Sequence, residues 1–351
     1  MIQSLTTALS LAPTDPAFWL PLVFLLVLFL TVLAGVILDG FDIGVGCLLL
    51  LAPVSLRPRM MSLLAPWRDA NEFWLFLGLG VFAVAFPTGW GAVMGQLQLP
   101  LMLLALGVMA RSVCFELRLR AAPEHQHWWQ LGFGLGSLVT AFAHGFLLAK
   151  VVVSYEVGTG YLWFFVFMGI CAVAAYVLLG ATWLIMRDTG ELRIRAVIWG
   201  RAAVRWFAAG AVAISVVLAL ANPGVLLKWS DGTPRAVVLA LWVVILMSFV
   251  LIEMRLQRLI NVSMRATFIP FLLSLVIFMA VLSGLAFSFF PFLVVDQLTV
   301  WDAAANTNTL QQVWRLSVWA LPFLAAFFIW VYWQMFGLSK PPSTPRLKTY
   351  D

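Results

Sequence analysis

Residues 19–50 read WLPLVFLLVLFLTVLAGVILDGFDIGVGCLLL, and the only charged side chains in the run are Asp39 and Asp42. About 20 helical residues cross the roughly 30 Å hydrocarbon core of a bilayer, so this stretch is more than long enough to span one. Lipid offers no partner for backbone N–H and C=O groups, which makes an internally bonded helix the spanning form. The run is too long for one upright span and is expected either to tilt or to bend at its internal Asp-Gly pair, continuing toward Arg57 and Arg59. Similar apolar runs follow near residues 72–94, 99–117, 128–153, 160–186, 196–221, 235–254, 268–291 and 312–336.

The expected fold is therefore an all-α integral membrane protein of about nine transmembrane helices in one helical domain over residues 1–337. The Pro-rich end 338–351 (KPPSTPRLKTYD from Lys340) reads as a short cytoplasmic tail. Composition agrees: 63% of the residues are hydrophobic and 10% charged, with 28 Phe and 17 Trp, and the mean hydropathy is +1.02, far outside soluble globular usage. The apolar residues come in blocks rather than in the alternating pattern of an outer-membrane barrel. Residues 1–18 carry no Lys or Arg ahead of the first apolar run, so no cleavable signal peptide is expected.

Basic residues alternate across this map. Arg57, Arg59 and Arg68, then Arg118 and Arg120, then Arg187, Arg193 and Arg195, then Arg255, Arg258 and Arg265, and finally Lys340, Arg346 and Lys348 fall on one side, against Lys150, Lys228, Arg235 and Arg315 on the other. The positive-inside rule puts the N-terminus outside and the C-terminus in the cytoplasm, which requires an odd number of spans. The net charge of +6 reports this topology and gives no support to a nucleic-acid partner.

Ionisable groups inside the apolar runs are the candidate functional residues, because each carboxylate costs roughly 2.5 to 3.5 kcal/mol at the centre of an inserting helix. Asp39 and Asp42 are three residues apart and share a helix face; a proton relay or ion pair and a packing or capping role both remain open for them. Asp69 and Glu72 lie one turn apart at the start of the second span, where a helix-dipole cap explains Asp69 as well as a function does. Arg111 lies one turn deeper than the flanking Arg118 and Arg120, and either snorkels to the interface or pairs with a buried carboxylate. Glu116 lies at the membrane edge.

His144 is the only histidine in a span, so a bis-histidine haem is not expected in this chain. Cys47, Cys114 and Cys171 lie in unrelated apolar stretches and suggest neither a metal site nor a disulfide framework. There is no P-loop, GxGxxG or HExxH motif.

Six strings in order resemble subunit II of cytochrome bd-type quinol oxidases: LDGFDIGVG, APWRDANEFWL, RSVCFELR, GFGLGSLVTAFAHGFLLAK, LGATWLIMRDTGELRIRA and FSFFPFLVVDQLTVWDAAANTNTL. The resemblance runs from about residue 19 to the end of the ninth span. It implies a heterodimer in the bacterial cytoplasmic membrane, in which subunit I holds the haems (b and d, or b-type only) and the quinol site while this chain holds no haem and makes no bonds itself. Quinol oxidation would be coupled there to reduction of oxygen to water. In some members a quinone or a small single-helix subunit is also bound.

Residue by residue, the resemblance implies proton-route roles for Asp39, Asp69, Glu116 and Arg111, and an oxygen entrance near Trp74. Two departures stand out: Arg68 replaces a tryptophan beside Asp69, altering the electrostatics of any proton path there, and His144 stands where glutamine is common, a variant similar to the cyanide-insensitive branch. A secondary transporter and a purely structural membrane scaffold are the competing readings. A transporter should carry related polar or broken helices in two halves, and no such pair is visible.

Overall fold

The computed structural model describes residues 6–7, 9–64, 68–156, 158–261 and 267–338. The tail expected over 338–351 therefore lies almost wholly outside the described residues, as does Arg265, and so do the side chains of Asp69 and of residues 260, 261 and 335–338.

Helix α1 (Pro16–Leu49) is one continuous element. Asp15 caps it by accepting from the Ala17 N–H at 2.8 Å, and Pro16 occupies the first turn, where a missing N–H costs nothing. Its 34 residues span about 51 Å, and it does not break at Asp39–Gly40. A short 3₁₀ turn (Val54–Leu56) and α2 (Arg57–Leu64) follow.

The second span departs from expectation. It starts at α3 (Arg68–Ala85) and is interrupted at Phe86, after which α4 (Pro87–Gln96) leaves at 120°. Pro87 sets this break, since it opens a new helix and cannot continue the preceding hydrogen-bond ladder. Then come α5 (Gln98–Arg120), α6 (Gln126–Val152), α7 (Thr159–Arg187), α8 (Glu191–Ala221), the short α9 (Pro223–Ser230), α10 (Gly232–Asn261) and α11 (Ile269–Phe289). Among the described residues, eight helices are long and apolar enough to cross a membrane, and the count is nine if the bent α3–α4 pair forms one further span.

Between α11 and the last span lies a small antiparallel hairpin, β1 (Phe292–Val294) with β2 (Leu298–Thr299), which the sequence did not suggest. It leads through α12 (Val300–Ala303) into α13 (Thr307–Leu338). Trp301 donates its indole N–H to the Phe18 carbonyl at 2.9 Å, and the Ala305 N–H meets the Ala85 carbonyl at 2.9 Å. The hairpin segment is thereby fastened over the start of α1 and the end of α3.

Small residues set the packing. A Cβ on Gly44 of α1 would sit 1.8 Å from the Tyr176 carbonyl oxygen, and one on Gly180 of α7 would sit 2.4 Å from the Gly44 backbone, so these two helices touch main chain to main chain. Helices α5 and α6 meet the same way at Gly107 and Gly136. The core gathers around α1, α6 and α7, where Ile43, Leu48, Phe133, Leu178 and Leu184 are buried. At the arginine-rich end Asp188 accepts from Arg59 at 2.5 and 2.6 Å, tying the loop after α1 to the end of α7. The three cysteines are free; Cys47 and Cys171 are buried and Cys114 half-buried.

Candidate functional site

The close approach at Gly136 places α6 against the Arg111 backbone, since a Cβ there would lie 2.6 Å from the Arg111 nitrogen. The Arg111 side chain is fully buried as a result. Its guanidinium donates to Asp39 Oδ2 at 2.7 Å, and that carboxylate is itself nearly inaccessible. A buried arginine of this kind is tolerable in an apolar bundle only beside an anion. Of the two readings left open for Arg111, the structure supports pairing with a buried carboxylate. The pair is not saturated: Asp39 Oδ1, Arg111 Nε and one Arg111 terminal nitrogen have no hydrogen-bond partner among the described residues.

Asp42, one turn further along α1, is fully buried and meets a different partner. It accepts from Asn71 Nδ2 at 2.8 Å, and Asn71 Oδ1 accepts from the Tyr332 hydroxyl at 2.7 Å. Helices α1, α3 and α13 are joined by this polar chain. Neither Asn71 nor Tyr332 stands out as a site residue in the sequence, and a tyrosine 261 positions from its asparagine carries no local signal.

A third group extends toward the surface. Buried Arg68 donates to Glu72 at 3.0 Å and approaches the exposed Glu116 at 4.0 Å. Glu72 accepts from the Ser112 hydroxyl at 2.8 Å, and Ser112 is the residue after Arg111. Glu116, Arg68, Glu72 and Ser112 thus form an acid–base series from an exposed carboxylate to the flank of the Asp39–Arg111 pair. Sequence reading set Glu72 beside Asp69 without giving it a role, and its (i, i+4) spacing from Arg68 is the signal of the pairing; Ser112 is the member it passed over. Asp69 begins the same helix, with a side chain outside the described residues.

Asp39 also opens on a cavity of about 530 Å³ walled almost entirely by apolar side chains from α1, α3, α6, α7 and α11. Trp74 lines it from α3, with its ring 5.1 Å from that of Phe328 on α13. His144 and Tyr176 supply polar atoms in the wall and lie 3.1 Å apart, Nδ1 to hydroxyl. Among the described residues no three His, Cys, Asp or Glu side chains group to hold a metal ion.

The family model described as "Cytochrome bd terminal oxidase subunit II" matches residues 20–335. The chain belongs to this family. Subunit 2 of the cytochrome bd-I ubiquinol oxidase of Escherichia coli (strain K12) is 26% identical over 349 residues, covering 85% of this chain and 89% of that one. Subunit 2 of the Bacillus subtilis (strain 168) cytochrome bd ubiquinol oxidase is 33% identical over a shorter stretch, 32% of this chain and 35% of that one. A chain in the structure of bd oxidase from Geobacillus thermodenitrificans superposes with a TM-score of 0.73 at 16% identity, over 92% of this chain and 99% of that one, and so shares the fold. This subunit II is thus a multi-pass membrane component of a terminal quinol oxidase, an assembly that includes a subunit I.

Proposed function

We propose that this subunit II is the haem-free partner of the haem-bearing subunit I, that it carries cytoplasmic protons inward through Asp39, and that its apolar cavity gives oxygen a path. The observation that carries the reading is the buried Asp39–Arg111 pair at 2.7 Å, which faces the cavity on one side and the Glu72–Ser112 bond on the other. Asp39 Oδ1 lacks a partner among the described residues and is the atom placed to take up a proton, while Arg111 holds the carboxylate in place and stabilises its anion. Glu116, exposed at the arginine-rich end, is the collecting group, and Arg68 positions Glu72 between them. Asp69 and Trp74 keep the roles the family implies, a second acid of the route and the oxygen entrance. The arginine-rich end faces the cytoplasm in this reading, with the N-terminus outside and the membrane that of a bacterial cell.

The residues present do not fit a resident haem. His144 is the one imidazole in a span, one short of the two that a bis-histidine haem requires. Haems b and d, or b alone, accordingly belong to the partner, where they carry the electrons from quinol to oxygen. A bound quinone does fit the cavity: its walls suit an apolar tail, and the Tyr176 hydroxyl and His144 ring suit a carbonyl.

In the intact heterodimer Asp39→Asn should lower quinol-driven oxygen uptake by about tenfold to a hundredfold, with haem content in reduced-minus-oxidised spectra at the wild-type level. Because that variant strands a buried guanidinium, Asp39→Asn/Arg111→Gln, which removes both charges, is the companion measurement. Full turnover in an assembled double variant would overturn the proton role. For the oxygen path, Val36→Trp fills the cavity beside Asp39. The KM for oxygen should rise severalfold with kcat unchanged, whereas an unchanged KM would exclude the cavity as the route.

A further inference from the structure

On α8 the exposed positions Ile194, Ile198, Arg205, Val212 and Val216 form one stripe along the helix, apolar except for Arg205. Arg205 lies inside that stripe with its side chain 72% exposed, next to the exposed Trp206. Its neighbours are polar only on one side. Arg201, one turn earlier, gives both Nε and Nη2 to Glu253 Oε1 of α10 at 3.1 and 2.9 Å. Arg205 reaches the same oxygen only at 3.7 Å, too far for a hydrogen bond. Two guanidiniums share one carboxylate, and the cluster keeps one net positive charge on the outer surface of the bundle.

The depth of this charge follows from helix rise. Counting back from the end of α8 at Ala221, Arg205 lies about 24 Å and Arg201 about 30 Å along the axis. From the start of α10 at Gly232, Glu253 lies about 32 Å along its own helix, ending at the same level. If the far edge of a hydrocarbon core of about 30 Å is set at Ala221 and Gly232, Arg201 and Glu253 fall at its arginine-rich boundary and Arg205 one turn inside it. Exposed Leu246, Met247, Val250 and Met254 on α10 continue the apolar surface around the cluster. A guanidinium at this depth snorkels toward the interface, and the anions waiting there are lipid phosphates.

We propose that Arg205, with Arg201 behind it, binds the phosphate of one anionic phospholipid whose acyl chains lie along the α8–α10 stripe. The occupant follows from the combination of depth, one uncompensated positive charge and apolar flanks. Free phosphate would satisfy the charge but leave the stripe uncovered, and a protein helix seated there would need an acidic residue at the same depth. Neither Arg205 nor Arg201 touches the Asp39 cavity, so the site stands apart from the proton and oxygen reading.

The test uses the purified heterodimer, delipidated in mild detergent and titrated with phosphatidylglycerol, phosphatidylcholine or inorganic phosphate, with retained molecules counted by native mass spectrometry. Wild type should retain one more phosphatidylglycerol than Arg205→Gln, whose apparent affinity for that lipid should be about fivefold weaker, while Arg205→Lys keeps most of it. Oxygen uptake by Arg205→Gln at the wild-type level would show that the complex is intact. Equal phosphatidylglycerol retention by wild type and Arg205→Gln would overturn the proposal, as would equal retention of phosphatidylcholine, or saturation of the site by inorganic phosphate alone.

Discussion

Asp39 and Asp42 share a helix face one turn apart yet are stabilised by different chemistry. Asp39 meets a full positive charge, whereas Asp42 is held by an amide that is itself held by a phenol; each carboxylate keeps one oxygen without a partner among the described residues. A carboxylate paired with a guanidinium has a charge partner that can stabilise its anion as a proton comes and goes; a carboxylate held by an amide and a phenol is suited to fixing position. Tyr332→Phe tests the second half of this contrast. It removes the hydroxyl donor to Asn71 Oδ1, inside a bundle where Asn71 is fully buried, and should lower the stability of the purified complex by about 1 kcal/mol, seen as a lower midpoint in thermal melting. Oxygen uptake should be nearly unchanged. A melting midpoint equal to wild type would mean that the Tyr332–Asn71–Asp42 chain does not couple α13 to α1.

At the scale of elements, the site depends on two backbone contacts. Glycines bring α1 onto α7 at Gly44 and Gly180, and α5 onto α6 at Gly107 and Gly136, the second contact being the one that buries Arg111 opposite Asp39. Gly44→Ala puts a Cβ 1.8 Å from a carbonyl oxygen, so the two helices must separate by more than 1 Å. The expected loss is about 1–3 kcal/mol or more, together with a lower recovery of heterodimer from the membrane. Gly80→Ala on α3 is the matched control, because a Cβ there meets nothing within 4 Å. Equal recovery and melting of the two variants would show that the α1–α7 contact tolerates separation.

For the whole molecule, the arginines of the loops gather at one end, where Arg59 and Asp188 also clamp α1's following loop to α7. The opposite end is closed by the hairpin segment pinned through Trp301 and Ala305. In the proposed orientation, with the arginine-rich end in the cytoplasm, a fluorescent-protein fusion at the C-terminus should be bright and an alkaline-phosphatase fusion there silent; the reverse pattern would invert the topology and move the proton entrance to the other face.

The sequence by itself determined that this chain lives in a membrane, roughly where its spans run and which family it joins. Those are local properties: twenty apolar residues, a loop arginine or a contiguous motif such as LDGFDIGVG is read without knowing what lies beside it. It also singled out Asp39 and Arg111 as candidates, leaving open a packing role for the first and snorkelling to the interface for the second. Only the tertiary structure decided that they meet across 72 positions, that Asp42 belongs instead to Asn71 and Tyr332, that Glu72 joins Glu116 through Arg68, and that α3 turns by 120° at Pro87 rather than running on to residue 94. Contacts between distant helices follow from how closely backbones approach, here at Gly44 against Gly180 and Gly107 against Gly136, and spacing along one chain does not encode that approach.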